Sequence, residues 1–274
     1  MVGRQRPHSG VRRNWGAAMT VEGAKEFALR FGWPLGGKKF PLAIGHRGAS
    51  GHATENTLTA FAKASDLGAE MWELDTQLTK DGICVVSHDD HLQRVFGLDR
   101  RISELTAAEL ATLEGACVPT FAAVAALARE RNAGLYVELK ADGTGPIVWH
   151  ELLLHGQRFA AIGSFDMGQL RKMRDAGCGY PLSVLVRVGA DPHTLAERAG
   201  ADIIHLCWEN AGPLPQELIP DQLIDRARRD GRQIVLWHEE RAEIITDIIR
   251  KPVLGICLDR PEMLRPEAGA AAVP

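Results

Sequence analysis

The chain has 274 residues, 45% of them hydrophobic, and a formal net charge of −3. A small acidic surplus gives no electrostatic footing for nucleic acid, so any preference for phosphate has to be local. No run reaches the apolar length of a transmembrane helix, and the length suits either two small domains or one barrel of eight βα units, of which a single barrel is the expectation.

Residues 1–40 are rich in Gly and Arg and read as a leader, flexible or peripheral, in which Val21 to Phe31 has the pattern of a short helix. Its basic stretch, with Arg4, Arg6, Arg12 and Arg13, lacks the apolar segment of a secretory signal. Five cysteines, odd in number and without C-x-x-C spacing, read as reduced packing thiols. Together these features predict a cytoplasmic protein with no stable membrane insertion.

From Pro41 onward, short aliphatic runs alternate with helical patterns, the signature of βα repeats and a parallel sheet. The strand-like runs are Leu42 to His46, Glu70 to Asp75, Ile83 to His88, Gly134 to Leu139, Ala160 to Ser164, Leu182 to Val186, Asp202 to Leu206, Gln233 to Trp237 and Gly255 to Leu258. Helical patterns fall at Thr57 to Leu67, Phe121 to Arg131, Met167 to Ala176, Gln222 to Asp230 and Ala242 to Ile249. A longer connection between Asp90 and Pro119 holds one more, Ala107 to Leu113. Nine runs for eight barrel positions leave one over, as a hairpin or a loop; Lys80-Asp81-Gly82, between the second and third, has the composition of a tight turn. The expectation is one α/β domain, a TIM-type (β/α)8 barrel over residues 41–265, followed by a tail at 266–274.

Alternate side chains of a strand share a face, so Glu73 and Asp75 converge while Trp72 and Leu74 point away. Two carboxylates side by side at the end of an apolar strand repel, unless a cation lies between them or a neighbouring strand supplies a salt bridge. Glu138 completes an oxygen-rich set that suits Mg2+ or Ca2+ better than zinc. Lys140, two residues on, shares its face and is placed to bind a phosphoryl oxygen or to balance the carboxylates. His46 and His88 each end an apolar run, and a histidine pair supplies the acid and the base that cleavage of a phosphodiester needs. Arg47 offers a planar fork for phosphate oxygens, and Gly48 lets the backbone approach closely. These groups, with Trp237-His238 and Asp259, fall at the C-terminal ends of the runs, the rim at which a barrel of this kind gathers its active site.

The series His46-Arg47-Gly48, Glu55-Asn56-Thr57 followed by Ala60-Phe61, Glu73-Leu74-Asp75, Thr79-Lys80-Asp81-Gly82, Val85 to Asp89 and Glu138-Leu139-Lys140 resembles the motifs of the glycerophosphodiester phosphodiesterase family in order and spacing. The likeness continues through Gly163-Ser164-Phe165-Asp166, Trp237 and Leu258-Asp259-Arg260-Pro261. It implies a TIM-type barrel, one divalent cation (Mg2+ or Ca2+) held by Glu73, Asp75 and Glu138, acid-base work by His46 and His88, and phosphate contact from Arg47. It also implies a small-molecule phosphodiester as substrate, cleaved to sn-glycerol 3-phosphate and an alcohol. The route runs either through a cyclic phosphate formed by a neighbouring substrate hydroxyl or by direct attack of water.

Three departures from the family pattern stand out. Thr54 replaces the usual Pro, His238-Glu239-Glu240 follows Trp237 where a more neutral stretch is usual, and Cys207-Trp208-Glu209-Asn210 adds polar and aromatic groups at another rim position. The last two bear on which alcohol is released. Trp237 and Trp208 serve there as substrate contacts or as rim packing. A lysophospholipase D-like reading would need an apolar surface for acyl chains, for which Leu92, Val95, Phe96 and Leu98 are the candidates. A non-catalytic barrel that binds sugar phosphates is the reading from a different class.

Overall fold

A computed structural model describes residues 17–266, with side chains from Glu22 onward; the first 16 residues of the leader and residues 267–274 of the tail lie outside the described residues. The strands are β1 Leu42–Gly45, β2 Met71–Leu78, β3 Cys84–Val86, β4 Gly134–Leu139, β5 Ala160–Ser164, β6 Leu182–Arg187, β7 Ile203–Cys207, β8 Gln233–His238 and β9 Gly255–Leu258. β1 pairs in parallel with both β2 and β9, and β2 pairs in parallel with β4, so all strands except β3 close into an eight-stranded parallel barrel. β3 is the ninth run. It folds back antiparallel on the overhanging end of β2, with Thr76 opposite Val86 and Leu78 opposite Cys84, across the turn at Gly82.

The barrel strands are buried on both faces, which is why they read as nearly unbroken aliphatic runs. Outward-facing residues such as Trp72, Leu74, Val137, Ile162 and Leu206 join the core beneath the surrounding helices, while Met71, Tyr136, Ala161, Ile203 and Val235 fill the lower interior. The helices are α1 Ala17–Arg30, α2 Leu58–Asp66, α3 Gln93–Phe96, α4 Ala107–Ala111, α5 Phe121–Arg131, α6 Thr144–Leu154, α7 Met167–Asp175, α8 Pro192–Ala199, α9 Asp221–Arg229 and α10 Ala242–Ile248. Thr57 caps α2 by accepting from the Ala60 N–H, and Thr120 caps α5 in the same way through Ala123. Three helices are absent from the sequence reading, the short α3 and the longer α6 and α8, and the last two begin with segments that resemble turns. α8 opens on Asp191-Pro192, where Asp191 is the cap and Pro occupies the first helical position, and α6 carries Pro146 in its first turn, where no intrahelical N–H is needed.

The leader differs from the expectation of a peripheral segment. Ala24, Phe27 and Ala28 of α1, together with Trp33, are buried against Leu42, Met71, Phe159, Ile203 and Leu254, residues at the N-terminal ends of the strands. The aromatic rings interlock: Phe27 lies 5.6 Å from Trp33, and Trp33 lies 5.1 Å from Phe159. Arg30 adds an ion pair of 2.5 Å to Asp202. A barrel whose interior is apolar leaves that interior open at its floor, and the apolar face of α1 closes it. Phe27→Ala is therefore expected to lower the unfolding free energy by about 3 kcal/mol, read as a lower urea midpoint; a change below about 0.5 kcal/mol, the size expected at an open surface, contradicts the docking of this helix.

Candidate active site

The site is assembled at the C-terminal rim from three neighbouring strands and one hairpin. β2 and β4 run in register with Asp75 beside Glu138 and Glu73 beside Tyr136, so the interior-facing acids of the two strands meet. Ligand oxygens of Glu73, Asp75 and Glu138 lie within 4.8 Å of one another, and all three residues are buried. Asp75 keeps its charge: burial opposes ionisation, but Lys140, Arg47 and the Asn56 side chain hold its pKa below the usual range. Its anion, added to burial, pushes Glu73 up to about 8 and Glu138 up to about 7. Three mutually repelling buried carboxylates form a hard, oxygen-only donor set, and a divalent cation fits it by charge and by ligand type.

Cationic side chains ring the cluster. Lys140 Nζ is 2.8 Å from Glu138 Oε1 and 3.3 Å from Asp75 Oδ1. Arg47 follows β1 with φ of 53°, which aims its backbone N–H at Glu73 Oε2 over 2.9 Å, while its Nε lies 3.3 Å from Asp75 Oδ2. Gly48 makes this turn possible. Its φ is 85°, and a Cβ there would come within 2.6 Å of the Ala60 carbonyl carbon. Asn56, also left-handed at φ 56°, donates its N–H to the Arg47 carbonyl and its side-chain amide to Asp75 Oδ2, both over 2.9 Å.

Both histidines are backed by an aspartate. His46 Nδ1 donates to Asp259 Oδ1 over 2.6 Å, which leaves Nε2 free, 4.0 Å from Glu73 Oε2. Burial lowers the pKa of His46, but the bond to Asp259 and the charge of Glu73 outweigh it and raise the group above an ordinary histidine. His88 arrives by the return of β3, tied down by the Ser87 N–H to the Asp75 carbonyl and by Gln77 Nε2 to its own carbonyl, both over 3.0 Å. Its Nδ1 lies 2.6 Å from Asp89 Oδ1. Asp89 then accepts from Arg94 Nε over 2.5 Å, Arg94 forks onto Glu55 over 2.7 and 2.8 Å, and Glu55 accepts from Arg47 over 2.8 Å. Burial, with the charges of Arg47 and Lys140, holds the pKa of His88 below an ordinary histidine. The two imidazoles are thus driven in opposite directions, the condition under which one serves as acid and the other as base.

These groups open on a cavity of about 210 Å3 whose opposite wall carries Phe165, Leu185, His205, Cys207, Glu209 and His238. Trp237 also borders it, but it is almost wholly buried at a β-bulge, and its indole N–H donates to Glu239 Oε2 over 3.2 Å. Trp208 packs into the outer core. The structure therefore brings together His46, Arg47, Glu73, Asp75, His88, Glu138 and Lys140, with Trp237 behind the wall. His238, which the sequence places at the rim, stacks on His46 with ring centres 4.5 Å apart and planes at 6°, and His205, which it leaves without a role, stands edge-on to Tyr136. Burial, with the charge of His46, lowers His205 to about 3, so it is neutral. The alternation of Ile203, His205 and Cys207 could have placed His205 on the inner face.

The described glycerophosphoryl diester phosphodiesterase family matches residues 46–263 of the chain. A glycerophosphodiester phosphodiesterase of Caldanaerobacter subterraneus is 29% identical over 240 residues, covering 81% of this chain and 96% of that protein. The crystal structure of the glycerophosphodiester phosphodiesterase of Thermotoga maritima is similar with a TM-score of 0.67 at 26% identity, covering 82% of this chain and 98% of that one. A phosphodiesterase of Oleispira antarctica, solved in complex with the product sn-glycerol-3-phosphate, shares the fold with a TM-score of 0.70 at 21% identity, covering 83% of this chain and 96% of that one. With the whole rim assembly inside the matched region, the chain belongs to the glycerophosphoryl diester phosphodiesterase family.

Proposed function

We propose that this protein hydrolyses small glycerophosphodiesters to sn-glycerol 3-phosphate and an alcohol, using one divalent cation, Mg2+ or Ca2+, at Glu73, Asp75 and Glu138. The observation that carries the reading is the meeting, in one cavity, of a buried carboxylate trio with two aspartate-backed histidines of opposite pKa displacement. When bound, the cation neutralises charge on a phosphoryl oxygen and fixes the diester in place. Arg47 and Lys140 take further phosphoryl oxygens. His88, neutral, removes the proton from the attacking hydroxyl, whether of substrate or of water. His46, protonated, delivers its Nε2 proton to the departing alkoxide. Trp237, almost wholly buried behind the wall, supports the residues that line it rather than the substrate itself. The cytoplasm belongs to the same proposal: the cysteines are free, as in a reducing compartment, and no helix among the described residues is long and apolar enough to cross a membrane.

His46→Ala and His88→Ala are each expected to lower kcat by about a hundredfold or more with the fold retained by circular dichroism. Substantial cation-dependent turnover in both variants contradicts the assignment. Dialysis against a chelator should abolish turnover of glycerophosphocholine, with both products measured, and Mg2+ or Ca2+ should restore it; full activity in chelator removes the metal from the proposal.

Asp259 raises the pKa of His46, so in Asp259→Asn the His46 imidazole should titrate at lower pH by NMR. Activity is lost when the acid gives up its proton, so the alkaline limb of the pH–rate profile should also move to lower pH. An unmoved titration shows that Asp259 does not hold that proton.

A further inference from the structure

Glu209 is the one acidic side chain on the cavity wall opposite the metal-binding carboxylates, in the segment after β7 where the sequence departs from its family. Its side chain is 22% exposed, close to the 17% of Arg47 and the 18% of Lys140, so a ligand in the cavity can reach it. No hydrogen bond reaches its carboxylate among the described residues. Oε2 is buried without a partner, and Oε1 is 3.9 Å from His238 Nδ1, beyond hydrogen-bond range. His238 does not swing to close that gap in the structure, since its ring is stacked flat on His46. A carboxylate oxygen buried at a cavity wall without a donor is costly unless a ligand supplies one.

We infer that Glu209 is a specificity-determining residue that recognises the leaving alcohol of the diester through an N–H or O–H donor, with a primary ammonium group preferred. The inference rests on the diesterase reading above. The leaving alcohol departs beside the acid that protonates it, His46, and Glu209 Oε1 lies 3.9 Å from Nδ1 of the His238 ring that stacks on His46, whereas the phosphate is held by Arg47, Lys140 and the buried acids. A quaternary ammonium fits this wall poorly. It has no N–H to give, and the aromatic face that would receive it is taken: the Arg187 guanidinium covers the Phe165 ring at 4.3 Å, and Trp208 and Trp237 are buried.

The test compares kcat/KM for the ethanolamine, glycerol and choline diesters of glycerol 3-phosphate in the cation-loaded wild type, Glu209→Gln and Glu209→Asp. In the wild type the ethanolamine diester should exceed the choline diester by at least about tenfold, the worth of one charge-assisted hydrogen bond, with the glycerol diester between them. Glu209→Gln should bring that ratio to within about threefold of unity, through loss on the ethanolamine diester, and Glu209→Asp, which keeps the charge, should retain a preference for the amine. An unchanged ratio in Glu209→Gln overturns the inference. So does an equal loss on all three diesters, which would put Glu209 on the retained glycerophosphate half or in the fold. Those two results leave the diesterase reading standing; a wild type that cleaves none of the three diesters overturns both.

Discussion

Asp75 is the charge around which the rim is built. It lies fully inside the barrel, where an unpaired anion is not tolerated, and five groups answer it: Lys140 from its own neighbour strand, Arg47 and Asn56 from the loops after β1, and Glu73 and Glu138, which yield by holding their protons. Much of the local backbone follows from those answers. Arg47 and Asn56 both adopt left-handed conformations, and each points a donor at an acid of β2. Such conformations persist where surrounding contacts over-determine them, and here the contacts are charge-assisted hydrogen bonds in a buried setting.

The barrel provides what the acids require. Register between β2 and β4 sets Glu138 against Asp75, and pairing of β1 with β9 brings His46 to Asp259, two residues 213 positions apart in the chain. The extra strand β3 lies outside the barrel, yet it turns the chain back so that His88 faces the same cavity from above the rim. At the opposite end, α1 and Trp33 seal the floor with apolar side chains. One end of the barrel is thus occupied by packing and the other by charge, and only the charged end is free to do chemistry.

The residues that were legible in the sequence are those whose meaning lies in local spacing. Alternation alone put Glu73 and Asp75 on one face, the limits of β4, β5 and β9 matched their aliphatic runs, and the surplus ninth run proved to be the hairpin that its tight turn suggested. What was not legible depends on closure of the barrel or on packing. His205 is a single polar residue within an apolar run, His238 opens the polar stretch His238-Glu239-Glu240, and nothing nearby in sequence says that His238 lies flat on His46. The relay from His88 through Asp89, Arg94 and Glu55 to Arg47 joins segments whose meeting follows from the fold of the connection after β3. The burial of α1 was hidden for a similar reason: its helical pattern is visible, but the surface it covers exists only once eight strands have closed.

We propose that the carboxylate trio exchanges protons for a cation, and calorimetric titration of Mg2+ or Ca2+ at pH 7 in buffers of different ionisation enthalpy measures that exchange directly. With Glu73 at about 8 and Glu138 at about 7 before binding, entry of the ion should release about one proton or more. Binding that releases no proton, or that survives unchanged in Glu73→Gln and Glu138→Gln, would contradict the claim that these buried acids hold the ion.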